Sequence, residues 1–254
     1  MAWMGKLFGG TLGFMFGGPL GMIAGISFGH MFDKAGSLGQ GSTSTYYASQ
    51  DQSQMMFFVG AFSMIARIAS IDGSVTANER KKVQEFIRTD LRLGPREEEA
   101  AWKVFDTALT GEGTFEQFAS QFYQNFALAP NILQLMVDIF YRVAAADGMV
   151  TSSEEALIRR AALIFRLPDS FVDALSRRYG GHASAGERSY AILGLSKDAT
   201  NEEVKRAYRK MSIEFHPDTL AAKGMGDEFL THATAKFREI QGAYDSIKQE
   251  RGIR

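Results

Sequence analysis

Asn201-Glu-Glu-Val-Lys-Arg-Ala-Tyr-Arg-Lys-Met-Ser-Ile-Glu-Phe215, with His216-Pro217-Asp218 directly behind it, sets the architecture of the last quarter of the chain. Thr200 and Glu203 have the spacing of a capping box, which predicts a helix from Asn201. Val204, Ala207, Tyr208, Met211 and Phe215 recur at three- and four-residue steps and share one buried face. Lys205, Arg206, Arg209 and Lys210 fall largely off that face and give a cationic surface. Pro217 restricts His216 to extended conformations, so the helix ends there.

Working outward, Ser189-Tyr-Ala-Ile-Leu-Gly-Leu195 and Ser196-Lys-Asp-Ala-Thr200 precede the basic stretch, and Lys236-Phe-Arg-Glu-Ile-Gln-Gly-Ala-Tyr-Asp-Ser-Ile247 follows it. Phe237, Ile240, Ala243, Tyr244 and Ile247 form a second apolar stripe, so the two helices are expected to pair as an antiparallel hairpin with His-Pro-Asp at the connection. Taken alone, a cationic helix is usually a solvated face, and a His-Pro-Asp a turn. In this order, the blocks resemble a J domain, the module by which DnaJ-type co-chaperones act on DnaK-type ATPases. The resemblance implies a DnaK-binding surface of His216, Pro217, Asp218, Lys205, Arg206, Tyr208, Arg209 and Lys210. The loop Thr219-Leu-Ala-Ala-Lys-Gly-Met-Gly226 lacks the basic residue that often follows His-Pro-Asp in that family.

The 254 residues leave room for two small domains and extensions. A net charge of −1 gives no bulk attraction to nucleic acid. Residues 187–254 carry 12 Lys/Arg against 11 Asp/Glu, so their basic character is confined to one helix. With no cysteine, disulfides, zinc-cysteine sites and cysteine nucleophiles are excluded. The histidines (His30, His182, His216, His232) make no metal-ligand pair at helical spacing, and no nucleophile or phosphate-loop motif is present. Nothing in the sequence supports an enzyme or a resident cofactor.

Leu7 to Gly29 is 23 residues without a charge, and Gly5, Gly9, Gly13, Gly17, Gly21, Gly25 and Gly29 recur every fourth residue. As a helix this stretch would be about 35 Å long, enough for a hydrocarbon layer of about 30 Å. Gly13, Gly17, Gly21, Gly25 and Gly29 would line one stripe, along which a second helix could approach closely in lipid. A cleaved signal peptide fits less well, because His30-Met-Phe-Asp-Lys34 follows instead of a small-residue cleavage site. A solvated tail would not carry so many Phe, Met, Leu and Ile, and a soluble helix would suffer from the glycines. The expectation is a membrane span over residues 1–34. A Gly/Ser/Thr/Gln stretch, residues 35–54, then reads as a flexible tether.

Residues 55–180 read as all-helical, with helix starts at Thr76, Pro95, Thr114, Pro130, Thr151 and Pro168. Asp-Gly-x-Val-Thr-x-x-Glu occurs twice, as Asp72 to Glu79 and as Asp147 to Glu154. Gly73 and Gly148 suit a left-handed helix end, and Thr76/Glu79 and Thr151/Glu154 suit capping boxes. The pattern also matches the second half of a calcium loop, but Ile68, Ser70, Val143 and Ala145 occupy the first two ligand positions of the two copies. A standard calcium loop is therefore excluded. A divalent metal shared by Asp72, Glu79, Asp147 and Glu154 stays open beside the capping reading, which is the preferred one. The arrangement resembles the helical domain of tellurite-resistance TerB proteins, whose acidic residues cluster and are suspected of holding metal.

Glycine-rich apolar N-terminus, TerB-like domain (55–180), short linker (181–187) and J domain (188–254), with Gly-His-Met-Phe-Asp-Lys-Ala at residues 29–35, resemble the membrane-anchored DnaJ-like co-chaperones of the DjlA family. The resemblance implies an all-α, single-span protein of the bacterial inner membrane that faces the cytoplasm. It would recruit DnaK, stimulate its ATPase and form a homodimer through the span. The competing function is a metal- or tellurite-stress-responsive binding protein with the J domain as accessory.

Overall fold

The computed structural model of the protein describes residues 18–33, 45–180 and 185–253. Every regular element among them is helical. The first eight helices are α1 (Gly18–Asp33), α2 (Thr45–Ala69), α3 (Ala77–Glu85), α4 (Pro95–Thr110), α5 (Phe115–Phe126), α6 (Pro130–Ala144), α7 (Ser152–Ile164) and α8 (Asp169–Tyr179). The C-terminal set is α9 (Ala185–Ile192), α10 (Asn201–Glu214), α11 (Pro217–Ala222) and α12 (Leu230–Arg251).

Local chemistry explains where these helices start. Thr76, Thr114 and Thr151 each cap a helix and exchange reciprocal bonds with Glu79, Gln117 and Glu154. Each cap is worth about 1 kcal/mol. Pro95 and Pro130 open α4 and α6, and Pro168 precedes α8, where a missing N–H costs nothing. Gly73 and Gly148 have positive φ, as their position after a helix predicts. α3 runs on into a π-helical turn, Phe86–Leu91.

Helix α2 is the axis of the core. It packs chiefly on α4 and α5, and also on α6 and α7. Its Phe57, Phe58, Phe62 and Ile65 are buried, as are Phe122, Phe126 and Phe165 around them. The C-terminal hairpin of α10 and α12 closes on Val204, Ile240, Ala243 and Ile247, with the Tyr208 and Tyr244 rings stacked at 4.0 Å. Arg251 fastens its open end, donating to the Tyr190 hydroxyl and to the carbonyls of Lys197 and Ala199. The two parts share one core. Phe229, just ahead of α12, sets its ring 4.7 Å from Phe57 and 6.0 Å from Phe62.

One stretch differs from the expectations drawn from composition. The tether expected over 35–54 gives way to helix at Thr45, while 35–44 lie outside the described residues. The physical reason is tertiary. Gln54 is buried and donates to Asp227 of the C-terminal part, so polar residues are held by a distant partner. The linker residues 181–184 also lie outside the described set, and α9 begins at Ala185.

Of the span expected over residues 1–34, only residues 18–33 are described. No helix among the described residues is long and apolar enough to cross a membrane. Gly5, Gly9, Gly13 and Gly17 lie outside the described residues, whereas Gly21, Gly25 and Gly29 fall in α1. The 16 residues of α1 rest on α4, α5 and α2. Leu20, Ile23 and Ala24 are buried there. Burying Leu20 and Ile23 is worth about 1.5–3 kcal/mol each.

Phe229 tests whether the core is continuous. Phe229→Ala should destabilise the protein by about 3–5 kcal/mol. It should also split a single thermal transition into two, since it removes the ring that joins α2 to the hairpin. A single transition at an unchanged midpoint, read by calorimetry, would contradict the shared core.

Candidate functional site

The cap predicted from Thr200 and Glu203 is present, and α10 runs to Glu214. Pro217 does more than end it. His216 takes an extended conformation (φ −63, ψ 132) and becomes the N-cap of the short helix α11, with Pro217 in its first turn. The His216 Nδ1 accepts from the Asp218 backbone N–H at 3.3 Å, and the imidazole packs edge-on against Phe237 of α12 at 5.3 Å. The ring is thus oriented by its own turn and by the opposite helix. Asp218 points outward, its side chain 93% exposed. The arrangement offers an oriented imidazole and an exposed carboxylate, 3.7 Å apart, on a rigid corner.

The basic face is only partly a surface. Arg206, Arg209 and Lys210 are exposed, and Lys205 is half-buried. Lys205 and Lys210 lie 4.0 Å from Glu202 and Glu214 on their own helix, contacts worth little in water. Tyr208 belongs to the hairpin, since its ring is stacked on Tyr244. Arg206 and Lys210 line a cleft of about 370 Å³ whose other wall is α8, with Phe171 and Leu175.

What supports the corner comes from the middle domain. Asn131 of α6 is buried. Its amide donates to the Glu214 carbonyl (2.6 Å), just before His-Pro-Asp, and its Oδ1 accepts from Lys223 Nζ (2.9 Å), just after it. The loop that follows is packed away, with Leu220 and Met225 fully buried. Gly224 has φ +93, and a Cβ there would meet Ser53 of α2 at 2.4 Å, so only glycine fits.

Deeper in the same interface lies Asp138 of α6, with a side chain 3% exposed. It meets Arg178 of α8 at 3.0 Å, Lys236 of α12 at 3.0 Å and His232 of α12 at 3.7 Å. Arg178 also reaches Glu239 at 2.5 Å. Burial pushes the Asp138 pKa up, but the Lys236 ammonium, the Arg178 guanidinium and His232 hold it far below the usual carboxylate range. Burial likewise opposes the charge on Arg178, and Asp138, Tyr179 and Glu239 together more than offset this. His232 stands between Asp138 and Asp90, 4.0 Å from the latter, with its ring against Phe86 of the π-helical turn.

Sequence reasoning did not find Asn131, Asp138, Arg178, Lys223, His232 or Lys236. His232 and Lys236 are one helical turn apart and extend the buried face of α12 toward its N-terminus, but as polar residues they read as solvated. Their partners lie about a hundred residues away, beyond the reach of any local pattern.

In the acidic repeat, Glu79 and Glu154 are engaged in their capping boxes. Lys82 of α3, three residues past the first copy, faces the second. Its ammonium lies 3.0 Å from Asp147 and 3.6 Å from Glu154, and donates to the Ala144 carbonyl. Burial tends to raise the Asp147 pKa, and Lys82, the Met149 N–H and Asn78 bring it below the usual value. Asp72 is exposed. Among the described residues, no group of three or more His, Cys, Asp or Glu is placed to hold a metal ion.

Comparison with known proteins matches three family models in order. They are the co-chaperone DjlA transmembrane domain (residues 1–49), the tellurite resistance protein TerB (59–177) and the DnaJ domain (188–253). Relatives named Co-chaperone protein DjlA align along nearly the whole chain. Those of Photobacterium profundum (30% identical) and Vibrio cholerae (32%) each align over 98% of this chain and 99% of the relative. That of Shewanella oneidensis is 30% identical over the full length of both. No solved structure matches.

Two predictions follow from these charges. Asp138→Asn removes the buried counter-charge that Arg178 and Lys236 share, leaving them only the half-buried Glu239, and should cost about 3–5 kcal/mol at neutral pH. A depressed native pKa stabilises the fold above the unfolded value, and that stabilisation fades as pH falls toward the native one. The stability gap between wild type and variant should therefore be constant above about pH 5 and shrink below about pH 4 in denaturant titrations. A gap that persists unchanged into acid would refute the ionised network.

In the acidic repeat, Asp147→Asn should cost up to about 1 kcal/mol and Asp72→Asn close to nothing, with the two effects adding to within about 0.5 kcal/mol. Chelator should leave the melting temperature unchanged. Non-additive effects with a chelator-sensitive midpoint would reveal a cation shared by the carboxylates.

Proposed function

The chain belongs to the DjlA family of co-chaperones, and on that premise we propose that it recruits a DnaK-type chaperone at the membrane and stimulates its ATP hydrolysis through His216, Pro217 and Asp218. The observation that carries this reading is the geometry of the corner. The imidazole is oriented by the Asp218 N–H and by Phe237, and the Asp218 carboxylate, 3.7 Å from the imidazole, is exposed to a partner. Such a corner is a rigid, exposed turn. Its use is to present fixed polar groups to another protein, whose own site performs the chemistry.

Arg206, Arg209 and Lys210, with Lys205 at their edge, would meet an acidic surface of the chaperone and bring it into register with the corner. Tyr208 contributes by holding the hairpin. The match of residues 1–49 to a transmembrane domain supports an anchor in this segment. We place the anchor in the bacterial inner membrane as a single span, with the folded domains in the cytoplasm, where an ATP-using partner works. The glycine repeat suits close helix–helix approach in lipid, so the anchor would also pair two copies.

The test is a single-turnover ATPase measurement with DnaK and the full chain. His216→Gln should abolish stimulation while circular dichroism stays that of wild type. Arg209→Glu should raise the dissociation constant with little change in melting temperature. Binding should weaken between low and physiological salt, because the Debye length shrinks to about 8 Å. Full stimulation by His216→Gln would remove the reading.

A further inference from the structure

The docked position of α1 conflicts with its use as an anchor, and the conflict is geometric. A crossing takes about 20 apolar residues. The uncharged stretch runs from Leu7 to Gly29. In the structure, the part from Leu20 to Ser27 is committed to the middle domain, with Leu20, Ile23, Ala24 and Ser27 buried against it. The 13 residues Leu7–Pro19 are too few to cross alone. The segment can be seated on the domain or in the bilayer, but not both.

The seat is specific. The buried positions 20, 23, 24 and 27 follow the spacing of one helix face. The Leu20 backbone N–H donates to Gln121 of α5 at 2.9 Å, and the Ser27 hydroxyl donates to Thr107 of α4 at 3.2 Å. Gly60 of α2 lets the helices close in. A Cβ there would lie 2.6 Å from Phe122 and 3.6 Å from Leu20. The seat is also incomplete. Met22 and Ile26, on the outer face, are 59% and 56% exposed. A helix that is apolar all round satisfies only half of its surface in this groove, and lipid would satisfy all of it.

We propose that the groove formed by α2, α4 and α5 is a holding site for the chain's own membrane segment, occupied in water and vacated on insertion into a bilayer. The proposal rests on the anchor reading above. The groove takes an uncharged, small-residue helix. It shields the buried half of that helix until lipid competes for it.

The chain has no cysteine, so a single introduced pair reports the seat. In Ser27→Cys/Thr107→Cys, made by cell-free synthesis without detergent and mildly oxidised, most molecules should cross-link in the absence of lipid. Synthesis into phosphatidylethanolamine/phosphatidylglycerol vesicles should lower the cross-linked fraction about tenfold. Chain oxidised before lipid is added should fail to float with vesicles, and reduction should restore flotation. As a check that does not depend on disulfide geometry, Thr107→Phe, which fills the place of Ser27, should cut the lipid-free soluble yield several-fold and leave the vesicle-bound yield unchanged. Undiminished cross-linking in chain that floats would overturn the exchange, as would an unchanged soluble yield of Thr107→Phe. If reduced chain without substitutions did not float at all, the anchor reading itself would fall, and the exchange with it.

Discussion

The buried carboxylate of Asp138 is the constraint on which the rest of the arrangement depends. A charge with a side chain 3% exposed cannot stand without partners, and its partners come from two parts of the chain. Arg178 belongs to the middle domain, and Lys236 and His232 to the C-terminal hairpin. A buried ion pair of this kind adds little net stability over a well-packed apolar contact, yet any other orientation of the hairpin would leave its charges unpaired. In this protein the network therefore acts on geometry more than on total stability. The aromatic contact between Phe229 and Phe57 supplies the non-directional part of the same interface.

Once the hairpin is fixed, the His-Pro-Asp corner is fixed with it. Asn131 bridges the chain on both sides of the corner, and the loop after it lies against α2. Thr219 rather than a basic residue stands directly after the corner, and the loop's Lys223 is turned to Asn131. Thr219–Gly226 has an apolar and glycine-rich composition because Leu220 and Met225 are core residues and Gly224 meets Ser53. A corner on a free hairpin would sample many orientations relative to the anchor, whereas this one is held at a set place on a larger body.

The repeated Asp-Gly-x-Val-Thr-x-x-Glu element shows how one local solution serves two levels. Its glycine and its Thr/Glu pair end one helix and start the next, a matter of a few neighbouring backbone groups. Asp147, left over by that task in the second copy, meets Lys82 just past the first copy and accepts from Asn78 within it, which brings the two copies together. α1 relates to the domain in the same opportunistic way, using a groove that suits one of its faces and leaves the other in water.

The helix starts were legible in the sequence because capping is a bargain between residues three apart: Thr76, Thr114, Thr151 and Thr200 each bond the N–H of the residue that bonds back. The hairpin stripes were legible because burial repeats with the helical period, and His216-Pro217-Asp218 because its order among neighbouring blocks is specific. What the sequence by itself could not decide were pairings without a period: Asp138 with Lys236, Asn131 with Glu214 and Lys223, Gln54 with Asp227, Ser27 with Thr107. A single lysine or asparagine on a helix reads as solvated until another element is folded against it. Only the tertiary structure sets that element in place, because desolvation, which makes such a pairing obligatory, exists only after the surfaces have met.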